Sequence, residues 1–244
     1  MPQSRERFVL QHPPRKINIA IDGPAGAGKS TVARMVANEL GYVYVDTGAM
    51  YRAVTLKAIR AGIHPDDRTR IAQLTEQLNI ELIPSNDCQK VLIDGEDVTG
   101  QIRTNEVSQR VSAFSTIPEV REILSGKQRN IAAAKGVVMD GRDIGTKVIP
   151  DAEVKIFLTA SVEERARRRY EELLAKGEQA DLEQLKNDIS ERDRMDEQRE
   201  HSPLVRADDA VLMDSTEMSI SEVVRRILSL CETVRNDLRV SEKK

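Results

Sequence analysis

Short apolar runs alternate with longer amphipathic stretches along most of the chain. Five of the runs have the length and the β-branched content that are typical of buried strands, and they lie at residues 17–21, 43–45, 137–139, 154–158 and 210–213. Most of them are separated by segments in which apolar residues recur with a helical period. This order is typical of parallel strands joined by crossover helices, so the pattern predicts an α/β fold with a five-stranded parallel sheet flanked by helices.

Residues 64–120 interrupt this alternation. Short runs in which apolar and polar residues alternate occupy positions 80–84, 89–93 and 96–98. Asp94-Gly95 separates the last two runs, and this dipeptide favours the tight turn of a β-hairpin. We expect a small antiparallel sheet followed by two helices, at 105–114 and 118–134. Because this insert sits between elements of the parallel core, it is a natural place for a clamp on a second substrate.

The predicted division of the chain follows from this insertion. The core carries the parallel sheet, the insert carries the small sheet, and a helical lid lies in the second half of the core. A flexible tail is expected at each end. The predicted ranges are 16–63 and 121–238 for the core, 64–120 for the insert, 161–185 for the lid, and 1–15 and 239–244 for the tails.

Residues 23–30 read Gly-Pro-Ala-Gly-Ala-Gly-Lys-Ser, a complete G-x-x-x-x-G-K-[ST] motif between the first predicted strand and a predicted helix. Glycines let backbone N–H groups close around a phosphate, and the helix N-terminus adds its positive end. Lys29 would reach the β- and γ-phosphates, and the Ser30 hydroxyl would bind Mg²⁺. An ordinary glycine-rich turn is the alternative, but the full motif in its full context favours a site for a nucleoside triphosphate.

Polar side chains follow all five predicted strands. They are Asp22, Asp46, Asp140, Thr159 and Asp214. Ligands of open α/β sheets bind beyond the carboxyl ends of the strands, so a row of carboxylates there is consistent with a cation and phosphate site. Asp140 in particular can hold a water on Mg²⁺. Each carboxylate taken alone is also typical of a helix cap or a turn.

Several arginines occupy positions that favour a second anion. Arg52 lies in the first turns of a predicted helix, where a cation opposes the helix dipole, although a solvated arginine is equally compatible. Arg142 follows a glycine after the third strand, where its guanidinium can bind a phosphate. Arg165, Arg168 and Arg169 share one face of a helix at 161–176. That face fits a solvated surface paired with glutamates as well as it fits a lid that closes on phosphate.

The predicted helix at about 181–199 changes character along one stripe. Its apolar residues Leu182, Leu185 and Ile189 point to one side, and the same spacing then continues as Arg192, Asp196 and Arg199. Either the helix extends into solvent there, or these charges line a polar cleft that holds an anion. Three charged residues on a core-facing stripe favour the cleft.

Composition limits the classes of function. The 244 residues carry a net charge of −3, and 3% of them are aromatic with no tryptophan, so nucleic acid is not an expected partner. No apolar run reaches the length of about eighteen residues that a membrane span needs, so no membrane partner is expected. Cys88 and Cys231 are too few for a disulfide framework, which indicates reduced thiols and a cytoplasmic protein. We also expect a monomer.

Four segments together resemble the bacterial cytidylate kinases. They are 21–31, which contains the glycine loop, 46–52 (Asp-Thr-Gly-Ala-Met-Tyr-Arg), 140–146 (Asp-Gly-Arg-Asp-Ile-Gly-Thr) and 191–194 (Glu-Arg-Asp-Arg). The similarity runs from about residue 16 to about 235. It implies the P-loop nucleoside-monophosphate kinase fold and the phosphorylation of CMP and dCMP with ATP and Mg²⁺. The alternatives are a kinase for UMP or dTMP, or a P-loop switch that acts on a protein partner.

The resemblance also implies a role for each matching residue. The implied ATP ligands are Gly23, Pro24, Ala25, Gly26, Ala27, Gly28, Lys29, Ser30, Thr31, Arg165 and Arg169. The implied CMP ligands are Thr47, Tyr51, Arg52, Ser112, Arg121, Arg142, Asp143, Arg192 and Asp196. The implied catalytic residues, which neutralise charge on the transferred phosphoryl, are Lys29, Arg142, Arg192 and Arg199. Ser30 and, through a water, Asp140 would hold Mg²⁺.

Within the implied CMP site, three groups of residues share the work. Thr47, Ser112 and Arg121 would read the pyrimidine together with Asp143, while Asp196 would bind the ribose. Arg52, Arg142 and Arg192 would hold the acceptor phosphate. Discrimination against uracil should rest on Asp143, because a carboxylate accepts from the amino group of cytosine whereas uracil presents a carbonyl at that position.

Overall fold

The computed structural model describes residues 15–85, 89–175 and 177–241. The strands within these ranges are β1 (Ile19–Asp22), β2 (Val43–Asp46), β3 (Ile80–Ile83), β4 (Lys90–Ile93), β5 (Glu96–Asp97), β6 (Val137–Gly141), β7 (Val154–Thr159) and β8 (Val211–Asp214). The α-helices are α1 (Lys29–Leu40), α2 (Thr47–Arg60), α3 (Arg68–Gln77), α4 (Asn105–Ser115), α5 (Pro118–Ala132), α6 (Val162–Ala175), α7 (Leu182–Gln198) and α8 (Ile220–Ser241).

The larger sheet has the strand order β2-β6-β1-β7-β8, and all neighbouring strands are parallel. This arrangement confirms the predicted five-stranded sheet. Each strand ends one or two residues later than predicted, so the polar residues at the strand ends belong to the strands themselves. The register places Asp46 of β2 opposite Asp140 of β6, which brings two of these carboxylates side by side at the carboxyl edge.

The two faces of the parallel sheet are covered by different elements. Ile19 and Ile21 of β1 pack with α1 and α8, whose buried residues include Val36 and Ile227. Ala20, with the opposite side-chain direction, packs instead with a single π-helical turn at Ile144–Val148 and the end of α5. Helices therefore flank the sheet on both sides, as predicted. Among the described residues, no helix is both long and apolar enough to cross a membrane.

The insert forms a three-stranded antiparallel sheet in the order β3-β4-β5. Asp94 and Gly95 connect β4 to β5 and have φ angles of 51° and 84°, so both adopt the left-handed conformation of a two-residue hairpin turn. The antiparallel sheet and its hairpin are therefore confirmed. Buried residues of the insert, such as Ile93 and Phe114, share one apolar cluster with Val54 of α2 and Leu124 of α5.

Helices α6 and α7 pack against each other, and the first half of α7 corrects one prediction. At the start of α6, the Glu164 N–H donates to Ser161 Oγ at 3.2 Å, and the Glu164 carboxylate pairs with arginines of its own helix. The apolar stripe predicted for α7 is only half-buried at Leu182, Leu185 and Ile189, because that end of the helix lies at the surface.

The last helix, α8, begins with a complete capping box. The Glu222 N–H donates to Ser219 Oγ and the Ser219 N–H donates to the Glu222 carboxylate, at 3.3 and 2.8 Å. Cys231 is buried in the apolar stripe, whereas Cys88 lies outside the described residues. Helix α8 continues to Ser241, so residues 239–241, which were predicted as part of a tail, are helical.

Candidate active site

The glycine loop connects β1 to α1 and packs directly on the end of β7. Gly23 has a φ of 148°, and a Cβ atom there would lie 1.9 Å from the carbonyl oxygen of Leu158. Gly28 forms the N-cap of α1 with a φ of 85°. Gly23 requires glycine because a side chain would collide with this carbonyl. Gly23 and Gly28 both require it because their φ angles are positive. The loop has the strand–loop–helix geometry of a phosphate-binding loop.

Lys29 and Ser30 begin helix α1, and their side chains bind different partners. The Lys29 ammonium is buried and donates to the Pro24 carbonyl oxygen at 2.7 Å, within the loop itself. Burial lowers its pKa, and the nearby Arg142 guanidinium acts in the same direction. Ser30 is exposed, and its hydroxyl donates to Asp140 Oδ2 at 2.9 Å. A phosphate bound beside this buried lysine would favour its charged form.

Asp140 is held from two sides. Its Oδ2 accepts from Ser30, and its Oδ1 accepts from the Tyr44 hydroxyl at 2.9 Å. Burial raises the pKa of Asp140, and the neighbouring Asp46 raises it further. A hydroxyl beside a carboxylate is a donor set that fits Mg²⁺ carried by a nucleotide, which needs few protein ligands. Among the described residues, no group of three or more His, Cys, Asp or Glu side chains is placed to hold a metal ion.

Tyr44 was not singled out from the sequence, although a signal for it exists. On strand β2 it lies two residues before Asp46, so the two side chains share one face of the sheet. The register then brings that face against Asp140 on β6.

The other strand-end carboxylates have structural partners. Asp22 accepts from the backbone N–H groups of Ile144 and Gly145 at 2.8 and 2.7 Å, and burial raises its pKa to about 6 in spite of these bonds. Asp46 caps α2 by accepting from the Ala49 N–H. Asp214 accepts from the N–H and the hydroxyl of Thr216. Of the four predicted carboxylates, Asp140 is therefore the one that contacts the phosphate loop.

Five charged side chains form a chain of alternating ion pairs next to the glycine loop. In spatial order they are Arg121, Asp143, Arg199, Asp196 and Arg142. The Arg121 guanidinium lies 2.5 Å from Asp143, and Arg142 Nε donates to Asp196 at 2.8 Å. Arg199 joins these two pairs at 3.9 and 3.7 Å. The charged stripe of α7 therefore pairs with charged residues of other elements instead of extending into solvent, and we call the region around these five residues the cleft.

Three further observations indicate that arginines in the cleft repel one another. Burial and, after it, repulsion from Arg142 and Arg52 lower the pKa of Arg192 to about 10, against the opposing effect of nearby aspartates. The pKa of Arg52 is also lowered, mainly by burial. Asp46 raises this pKa, whereas Arg103 and other arginines lower it. Arg192 Nε is buried without a hydrogen-bond partner in the part of the chain that the structure describes. A bound phosphate would relieve this repulsion and supply the missing acceptor.

The insert provides one wall of the cleft. Arg52 donates to Ser108 Oγ at 2.8 Å, and Arg121 donates to the Ser115 carbonyl oxygen at 2.9 Å. Ser112 lies between these two contacts on α4, one turn after Ser108, and is half-buried. Arg52 is thus in contact with the insert rather than solvated. Neither Ser108 nor Arg103 was singled out from the sequence, because only the folded insert brings them to Arg52.

Two predicted residues of α2 lie at the floor of the cleft. Thr47 Oγ1 donates to the Asp140 carbonyl oxygen at 2.6 Å and is buried. The ring of Tyr51 lies 5.4 Å from the Arg121 guanidinium, a cation–π distance, and burial raises the pKa of its hydroxyl to about 12. The structure therefore brings Tyr51 and Arg121 together beside Asp143, while Thr47 contacts the backbone near the end of β6.

The lid arginines divide into different environments. Arg165 is buried, and its Nε, Nη1 and Nη2 all contact protein acceptors, so in this conformation it binds the loop backbone and not the space above the loop. Arg168 lies beside Gly28 and donates to the Ser215 carbonyl oxygen. Arg167 pairs with glutamates at the surface, and Arg169 pairs with a glutamate while still lowering the pKa of Arg52. The face is therefore partly solvated and partly directed at the site.

A phosphate loop and a cationic cleft at the carboxyl edge of a parallel sheet define a P-loop phosphotransferase with two anionic substrates. The family model described as cytidylate kinase matches residues 19–233. The chain is 55% identical over 216 residues to a cytidylate kinase of Geobacillus kaustophilus (strain HTA426), across 88% of this chain and 96% of that protein. The chain therefore belongs to the cytidylate kinase family.

Two further comparisons concern the family and the fold, respectively. A cytidylate kinase of Pediococcus pentosaceus (strain ATCC 25745 / CCUG 21536 / LMG 10740 / 183-1w) is 54% identical over 217 residues, across 89% of this chain and 96% of that protein. A crystal structure of an uncharacterized protein from Eubacterium ventriosum ATCC 27560 shares the fold with a TM-score of 0.50 and 10% identity. The superposition covers 90% of this chain and 99% of that one.

Proposed function

We propose that this protein transfers the γ-phosphoryl group of ATP to CMP and dCMP and releases CDP and dCDP. The observation that carries the proposal is the buried Arg192 Nε, which has no hydrogen-bond partner among the described residues and lies among other arginines beside the glycine loop. A loop for one set of phosphates and a cationic cleft for another are the two halves that phosphoryl transfer between nucleotides requires. The relatives' name, cytidylate kinase, supports cytidine nucleotides as the acceptor.

In this proposal the donor half is the loop from Gly23 to Thr31. Lys29 exchanges its bond to the Pro24 carbonyl for the β- and γ-phosphates of ATP. Ser30, and Asp140 through a water, hold the Mg²⁺ that accompanies the nucleotide. When bound, this ion would neutralise charge on the transferred group. Arg169 would approach the phosphates from the lid, while Arg165 would act on ATP through its contact with the loop.

The acceptor half consists of the cleft. Arg52, Arg142 and Arg192 would bind the phosphate of CMP, and Arg142, Arg192, Arg199 and Lys29 would neutralise the transferring phosphoryl. Because little covalent chemistry is needed, charge neutralisation and in-line positioning account for most of the catalysis.

The nucleoside would lie against α4 and α5. Asp196 would bind the ribose, and Thr47, Tyr51, Ser112 and Arg121 would surround the base. Asp143 would accept from the cytosine amino group. Arg121 already holds Asp143 in one orientation, so the acceptor is preorganised for that contact. We further propose that the enzyme acts as a cytoplasmic monomer.

The deciding experiment measures ADP formation from ATP with and without each of CMP, dCMP, UMP, dTMP and AMP. The proposal predicts turnover that requires CMP or dCMP, with UMP and dTMP far less effective. Preference for UMP or dTMP would make the enzyme a kinase for another pyrimidine. ATP turnover that no monophosphate changes would instead indicate a P-loop switch.

A further inference from the structure

A buried ion pair connects the two lid helices at the point where they meet the phosphate loop. Arg165 of α6 and Asp193 of α7 lie 2.7 Å apart, and their side chains are 4% and 12% exposed. Neither the phosphate-binding motif nor the charged stripe of α7 predicted this pair, because Asp193 lies beside the stripe and not within it.

The remaining nitrogens of Arg165 extend the connection to the phosphate loop. Its Nη1 donates to the Ala25 carbonyl oxygen at 3.0 Å, and its Nε donates to the Ala160 carbonyl oxygen at 2.9 Å. A Cβ atom at Gly26 would lie 3.3 Å from the Cβ of Arg165, so the loop also packs on the stem of this side chain. One guanidinium thus spans the loop, the end of β7 and helix α7.

Asp193 occupies the helix that carries the acceptor residues. Arg192 precedes it directly, and Asp196 and Arg199 follow at one and two turns. The helix is rigid over this distance, so a displacement of Asp193 displaces all three acceptor side chains.

The pair is poorly suited to provide stability alone. Asp193 Oδ1 is buried and has no hydrogen-bond partner in the described part of the chain, which leaves part of its desolvation penalty uncompensated. A buried pair of this kind contributes little net stability but specifies one geometry.

We propose that the Arg165–Asp193 pair is a positioning strap that makes ATP and CMP bind cooperatively. Phosphates bound in the loop restrain the Ala25 carbonyl, which already accepts from Arg165, so Arg165 holds α7 more firmly in the position that binds CMP. The inference rests on the proposed function. Because coupling between two ligands is reciprocal, CMP should tighten ATP binding by the same factor.

The test measures the dissociation constant of CMP by calorimetry, with and without a saturating, non-hydrolysable ATP analogue and Mg²⁺. The wild-type protein should bind CMP about 5-fold or more tightly with the analogue, at the lower end of typical allosteric coupling. Asp193→Asn should bring this ratio close to one, while its affinity for CMP alone changes by less than the ratio does. Glu191→Gln removes an exposed ion pair from the same helix and should keep the wild-type ratio.

A second variant guards against a folding defect. Arg165→Lys keeps the charge but cannot contact Ala25, Ala160 and Asp193 together, so its ratio should also fall. A wild-type ratio of one, or a wild-type ratio retained by either folded variant, would overturn the strap. That result is distinct from failure of the proposed function, in which the wild-type protein would show no CMP-dependent ADP formation.

Discussion

Arg142 donates from Nε to Asp196 at 2.8 Å and thereby joins the loop after β6 to helix α7, 54 residues further along the chain. The two residues are proposed to bind different parts of CMP, the phosphate and the ribose. Each of these two side chains is therefore held in orientation by the other before the nucleotide binds. Preorganisation of this kind reduces the entropy that binding would otherwise lose.

The first prediction concerns the base. Asp143→Ala should lower kcat/KM for CMP by about 100-fold or more, because sites built around a specific hydrogen bond lose large factors when it is removed. The affinity for ATP should change by less than about 3-fold, since Asp143 lies outside the glycine loop. Steady-state kinetics and ATP titration measure the two quantities.

Asp151→Ala is the matched control for this prediction. It removes the same charge from a side chain that is 77% exposed and pairs with Lys135 at 3.7 Å. Its kinetics should equal those of the wild-type protein. Equal losses of CMP activity and ATP affinity in Asp143→Ala would contradict the base-reading role and indicate a general disturbance of the site.

The second prediction concerns how the cationic cleft affects activity and the stability of the protein without nucleotide. Arg192→Gln should lower kcat/KM for CMP by about 100-fold, the scale of one lost transition-state contact. The same substitution should raise the free energy of unfolding of the free protein by about 1 kcal/mol, because it removes a buried charge that Arg142 and Arg52 repel. Urea denaturation without nucleotide measures this effect, and a large loss of stability would contradict it.

Much of the donor half followed from the sequence because its signals are local. The glycine loop, the strand before it and the helix after it are adjacent in the chain. The Asp94-Gly95 hairpin is equally local, since two left-handed residues suffice to specify the turn. The charged stripe of α7 was also readable, because a helical period places Arg192 and Asp196 on one side.

The missed residues depend on contacts between distant segments. Four aspartates follow predicted strands, and the sequence does not distinguish their roles. The strand register and the loop after β6 determine that Asp140 contacts the phosphate loop, whereas Asp22 accepts from backbone N–H groups. Tyr44 and Asp193 acquire their partners in the same way, across 96 residues in the case of Tyr44 and Asp140. A single sequence shows which residues share an element but not which elements meet.

The third prediction concerns pH and Asp22. Burial raises the pKa of this carboxyl to about 6, above its ordinary value of 3.8. A raised pKa in the folded state means that the group stabilises the fold below about pH 3.8 and that this contribution is lost as the pH rises through about 6. Between pH 4 and pH 7.5 the wild-type protein should therefore lose about 2–3 kcal/mol of stability relative to Asp22→Asn.

Urea denaturation of both proteins across this range checks the prediction. Other titrating groups are common to both proteins, so they cancel in the difference between their free energies of unfolding. Asp22→Asn also replaces an acceptor of two backbone N–H groups by an amide, which shifts the difference by a constant amount. A difference that does not vary with pH would show that Asp22 titrates near its ordinary value.

The last prediction concerns Tyr44, which holds Asp140 opposite Ser30. Tyr44→Phe removes the hydroxyl but keeps the ring, so packing on β2 should be retained. Asp140 then loses one of its two side-chain donors and gains rotational freedom. Loss of such an outer partner typically weakens a metal site by 10–100-fold, so the Mg²⁺ concentration for half-maximal activity should rise by about 10-fold. Saturating Mg²⁺ should restore most of kcat.

Tyr42→Phe is the matched control. It removes a hydroxyl that accepts from the Ile17 N–H and does not contact Asp140, so it should leave the Mg²⁺ dependence unchanged. A wild-type Mg²⁺ dependence in Tyr44→Phe would mean that Ser30 alone orients Asp140.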